Sequence, residues 1–169
     1  RIPKKKRIEI SNKFNRLIIS YENTQNAALI KKELIELVLS KDKTYAPLSL
    51  YFLIDNKLIQ SRDKINELFD LLIKNSSLEK EVKNLIIYKK ALYNSEFVSE
   101  NILITQLNPL INSKSIWKSH ALHLLGEYFY YNKEKRKSKE FFEKIVNLEN
   151  ANPEIKNEAK KRILRDFSE

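Results

Sequence analysis

The stretch Leu122–Asn132, LHLLGEYFYYN, contains the single glycine of a 169-residue chain. Leu122, Leu125 and Phe129 stand at i, i+3 and i+7, the spacing of one face of a helix. A glycine inside a helix costs about 1 kcal/mol relative to alanine. Its presence there calls for a neighbouring helix that comes too close for a side chain. A small residue on each of two crossing helices lets the flanking apolar side chains interlock.

Helical spacing extends outward from this point in both directions. DKINELFDLLIK places Ile65, Leu68, Phe69, Leu72 and Ile73 on one stripe, with Ser61 as its N-cap. SSLEKEVKNLIIYKKAL places Val82, Leu85, Ile86 and Leu92 on another, with Ser77 as its cap. NPEIKNEAKKRIL has Asn152 as cap and Pro153 at the first helical position, where a missing N–H costs nothing. The pattern predicts helices over about 4–22, 25–40, 45–58, 62–75, 78–93, 99–108, 115–131, 134–148 and 153–166. Pro109 is expected to end or kink the sixth.

Taken in alternation, these helices begin near residues 8, 45, 81, 117 and 153. A recurring period of about 36 residues means stacked helical hairpins. The predicted fold is all-α: a right-handed superhelix of about four hairpins (4–40, 45–75, 78–111, 115–148) in one domain over 1–169, closed by a capping helix at 153–166. Leu50, Leu53, Phe69, Leu72 and Ile73 echo Leu122, Leu125, Phe142, Ile145 and Val146 some 72 or 73 positions earlier.

Composition narrows the class. Hydrophobic residues make up 42% of the chain, enough for a core, while one Gly and four Pro leave little for hairpin turns and disfavour an all-β fold. No run of about 18 apolar residues exists to span a membrane. Zero cysteine excludes disulfide and thiol chemistry. The first residue is Arg1, which we read as the start of a fragment or processed product. The net charge of +10 has two readings: attraction to an anionic partner, or a solvated lysine surface on a Lys-, Ile- and Asn-rich chain.

The run from Leu122 to Phe142 resembles the tetratricopeptide repeat pattern, with Leu122 for its Trp, Phe129 for its Tyr and Ser138-x3-Phe142 for its Ala-x3-Phe. The resemblance implies Gly126 and Ser138 as the small pair where the two helices of a repeat cross, with Leu122, Leu125, Phe129 and Phe142 packed around them. With YAPLSLYFLI and the closing ANPEIKNEAKKRI, the layout resembles the tetratricopeptide-like domain of the ancillary SecYEG translocon subunits (YfgM type) in their alphaproteobacterial version. That resemblance implies a soluble repeat domain behind an N-terminal membrane anchor. It implies the periplasmic side of a bacterial inner membrane and protein contacts around the translocon or periplasmic chaperones. Without an anchor, the expected location is cytoplasmic.

In such a stack the first helix of each hairpin lines a groove. The expected groove residues are Tyr51 and Asp55 on the third helix, Lys90 and Tyr93 on the fifth, and His120, His123, Glu127, Tyr130 and Tyr131 on the seventh. Aromatic and charged groups along a groove suit an extended peptide or a partner helix; the same tyrosines could equally complete packing between hairpins. His120, His123 and Glu127 have ligand types that zinc accepts, but His-x2-His without the metalloprotease pattern is a weak motif, and no metal is expected. Trp117 is expected to fill a gap between hairpins.

PKKKR, residues 3–7, fits a nuclear import signal, a nucleic-acid arm, a basic segment on anionic lipid, or a solvated helix start. No phosphate loop, cysteine nucleophile or serine elbow is present. Carboxylates alternate with lysines, as in KEFFEK, in the manner of surface ion pairs. The expected function is therefore a non-enzymatic protein–protein interaction scaffold with no cofactor and no small-molecule substrate. Alternatives are a nucleic-acid-binding helical repeat or an oligomerisation module. Acidic residues within most lysine clusters after residue 8 disfavour nucleic acid.

Overall fold

A computed structural model describes residues 3–23 and 26–167. These form nine α-helices and no strand: α1 (Lys4–Asn23), α2 (Ala27–Leu39), α3 (Tyr45–Asp55), α4 (Arg62–Ile73), α5 (Lys80–Asn94), α6 (Glu100–Ile111), α7 (Lys118–Tyr131), α8 (Lys135–Val146) and α9 (Pro153–Asp166). None of them is long and apolar enough to cross a membrane.

The helix starts follow local chemistry. Ser61 accepts a hydrogen bond from the Lys64 N–H, and Asn152 accepts one from Ile155 with Pro153 behind it. Ser77 does not cap α5. Its N–H and hydroxyl both donate to the Asn75 side chain, at 3.1 and 2.7 Å, and this turn delays the helix to Lys80. Pro109 does not stop α6, which runs on to Ile111. Proline sits in the last turn, so only one intrahelical bond is lost close to where the helix ends anyway. Leu92 is not a core residue, being 46% exposed. Ala91 takes the inward position, and the next residue is turned about 100° away.

Packing divides the chain into two compact units, one ending at Glu79 and the other starting at Lys80. In the first, α2 packs chiefly on α3, and α1 touches α3 as α2 touches α4. Its core includes Leu34, Leu50, Leu53, Leu68 and Phe69, all fully buried. In the second, each helix packs on the next from α5 to α9, while α5 also meets α7 and α7 meets α9. One core joins Leu103, Leu107, Leu110, Ala121, Leu125 and Phe129, with Trp117 against its edge. Another joins Leu122, Phe142, Ile145 and Ala159. Contacts to the next helix and to the one after it are those of packed helical hairpins.

Side-chain hydrogen bonds repeat this spacing. In the first unit the Ser11 hydroxyl donates to Tyr45, and the Asn75 amide to the Lys41 carbonyl, each across 34 positions. In the second, Ser115 donates to the Glu81 carboxylate across 34 positions, and the Trp117 indole N–H to the Glu81 carbonyl across 36. Asn152 N–H reaches Ser119 across 33. The intervals match the period read from the helix starts.

The turns within two hairpins also correspond. Lys57 and Lys133 both have positive φ, 54° and 62°, each preceded by Asn. Leu58 N–H reaches back to the Leu53 carbonyl and Glu134 N–H to that of Phe129, both at 2.9 Å, closing the left-handed cap of a helix end. α4 begins five residues after its turn residue and α8 two after its own, so the second helices keep the 73-residue offset that aligns Phe69 with Phe142.

Gly126 is covered by a ring. A Cβ there would lie 2.9 to 3.1 Å from three carbons of Phe142, which is fully buried. Ser138 lies alongside, and its buried hydroxyl donates to the Gly126 carbonyl at 2.7 Å. The two small residues thus have different tasks: glycine admits the aromatic ring, and serine satisfies a carbonyl in the crossing. Gly126→Ala is expected to destabilise despite the better helix propensity of alanine. Gly126→Leu is expected to cost about 1–3 kcal/mol or more by overpacking. Chemical denaturation of both variants checks this, and an unchanged midpoint for leucine would contradict the crossing.

Candidate binding groove

Three inward residues of α7, Leu122, Leu125 and Phe129, hold the helix against its neighbours. Fixing that face sets the direction of the other: His123, Glu127 and Tyr131, at i, i+4 and i+8, line an open groove of about 800 Å³. α5 supplies Tyr88 and Leu92 to its wall, and the turn before α6 supplies Ser95, Glu96 and Val98. Tyr128 donates to the Val98 carbonyl at 3.0 Å and ties that turn to α7. Leu124 lies in the floor, and Tyr131, 78% exposed, stands at the rim.

Behind the groove lies a charged cluster. Arg162, on the inward stripe of α9, is buried and donates to both Glu127 and Asp166. Its guanidinium lies over the Tyr130 ring at 5.0 Å and the Phe142 ring at 4.8 Å, as cation–π pairs do. Asp166 also accepts from Arg165 at 2.7 and 2.9 Å. Arg165, with Arg162 beside it, holds that carboxyl well below the usual carboxylate range. His123 Nε2 is 3.2 Å from Glu158 Oε1, and its ring meets the edge of Phe142 at 5.8 Å.

His120 is turned elsewhere. Its ring packs edge-on against Trp117 at 4.9 Å and Tyr88 at 5.6 Å. Nδ1 is buried with no hydrogen-bond partner among the described residues. Burial, and then the neighbouring His123, push its pKa below the ordinary value. No group of three or more His, Cys, Asp or Glu side chains suited to a metal ion occurs among the described residues.

Of the residues the sequence singles out, His123, Glu127 and Tyr131 line this groove. Lys90, Tyr93, His120 and Tyr130 occupy the same two helices but not its lining. On α5 the lining positions are Tyr88 and Leu92, because the inward residue is Ala91. Tyr51 and Asp55 belong to α3 in the first unit; Asp55 is exposed, and burial pushes the half-buried Tyr51 hydroxyl upward. Sequence reasoning missed Arg162, Tyr88, Tyr128 and Glu96. Arg162 had a signal: it interrupts the stripe of Ile155, Ala159 and Ile163 where an apolar residue is expected.

Compared with known proteins, the chain matches no family model, no curated protein and no solved structure.

Two measurements probe this region. Arg162→Met takes the cation from the Glu127 carboxylate, while Asp166 keeps Arg165. It is expected to cost about 2–3 kcal/mol by urea denaturation, below the ~3–5 kcal/mol of a fully enclosed pair because Glu127 retains contact with water. His120, with its folded pKa lowered, favours the folded state fully only above the unfolded value of 6.5. Stability should fall as pH drops from 7.5 towards 5.5, and His120→Phe should flatten that slope in thermal melts.

Proposed function

We propose that this chain is a non-enzymatic helical-repeat domain that holds a peptide or a partner helix in the groove between α5 and α7. The observation that carries this reading is the pairing of a firmly packed α7 with an opposite face left open. Leu92 at 46% exposure and Tyr131 at 78% flank a groove whose floor is Leu124. Apolar side chains held in place and left in water favour an occupant that covers them. An open-sided groove leaves a small ligand wet along one flank, whereas a segment of chain covers floor and rim together.

The resemblance to tetratricopeptide repeats supports the same reading. The Gly126–Phe142 crossing and ties recurring at about 34 residues are what stacked hairpins of that kind require. The likeness to the ancillary translocon subunits extends the proposal to a domain carried near the Sec machinery or periplasmic chaperones. The exposed cations Lys4, Lys5, Lys6 and Arg7 at the start of α1 support a further contact with an anionic membrane surface.

Selection of short random peptides displayed on phage tests the docking proposal. Enriched peptides should bind the purified chain and lose about tenfold in affinity with Tyr131→Ala, a change at an exposed side chain. Failure to enrich any peptide sensitive to Tyr131 would overturn it, as would co-purification of RNA whose binding falls steeply with salt.

A further inference from the structure

The groove is unusual in charge for this chain. Of 32 Lys and Arg residues against 22 Asp and Glu, not one Lys or Arg lines it. Glu96 and Glu127 do, with three tyrosines, Tyr88, Tyr128 and Tyr131. Arg162 reaches Glu127 from the side of α9 and balances part of its charge. Glu96 is exposed on the turn and has no ion-pair partner among the described residues. Lys89 and Lys133 adjoin lining residues in the chain without lining the groove themselves.

Apolar side chains, aromatic faces and a carboxylate together define one kind of ligand. Leu92, Val98 and Leu124 take apolar side chains. The faces of tyrosine rings attract cations, and a carboxylate at the rim pairs with an ammonium or guanidinium. An acidic segment would meet Glu96 and Glu127 with like charge. We propose that the groove selects a cationic amphipathic segment, apolar on the face it buries and carrying Lys or Arg toward Glu96 and the tyrosines. The proposal rests on the groove being a docking site and adds the charge of what docks.

Two dye-labelled synthetic peptides test it. They share one helical pattern of leucines and differ only in Lys or Glu at the polar positions; binding to the whole chain is read by fluorescence anisotropy. The net charge of +10 draws the Glu peptide to the protein in general, so a preference for Lys runs against the bulk charge. The Lys peptide should bind about tenfold more tightly than the Glu peptide. Glu96→Lys, at an exposed turn position, should remove that preference. Tyr131→Ala should weaken the Lys peptide, and added salt should weaken it further.

A Glu peptide that binds as tightly as the Lys peptide, and loses affinity with Tyr131→Ala, would overturn the charge assignment and leave the docking site standing. A Lys preference that survives Glu96→Lys would also overturn it. Neither peptide responding to Tyr131→Ala would overturn the assignment and the docking site together.

Discussion

Phe142 occupies the space where any side chain on residue 126 would project, and Ser138 holds the carbonyl of that same residue. This crossing sets how closely α7 and α8 approach. Close approach in turn fixes the rotation of α7, because Leu122, Leu125 and Phe129 must all point into cores that are already full. Once that face is committed, His123, Glu127 and Tyr131 have only one direction left. The groove thus follows from a constraint on its opposite side: an absent side chain in the crossing determines which side chains meet solvent.

Arg162 links that crossing to the groove. It reaches Glu127 in the groove wall, stacks on Phe142 in the crossing, and answers to Asp166 on its own helix. A buried guanidinium needs both charge and hydrogen-bond partners, and the two carboxylates and two rings supply them. α9 therefore does more than cover apolar surface at the end of the second unit. It orients a groove residue and balances part of its negative charge, which leaves Glu96 as the carboxylate most open to a ligand. The histidines are separated by the same packing: His120 lies among Trp117 and Tyr88, and His123 faces Glu158.

Much of this was legible in the residues themselves. Helix number, the caps at Ser61 and Asn152, the period near 36 and the crossing at Gly126 depend on short-range spacing and on steric size, which a chain displays directly. Where local reading failed, another local group or a small residue intervened. Asn75 captured Ser77, and Ala91 rather than Leu92 took the inward place on α5. An alternation of large and small residues at the core is decided by the partner helix, so the register of α5 could not be read from α5 alone.

By itself, the sequence determined the all-helical class, the hairpin period and a position where two helices nearly touch, because periodicity and the lack of a side chain are properties of the chain. The tertiary structure decided the groove. Tyr88, Glu96, Tyr128 and Tyr131 come from separate segments and meet only when α5, its following turn and α7 are packed. It also decided the partner of Glu127, since an arginine 35 positions away becomes a neighbour only after a helix has folded back by one full hairpin.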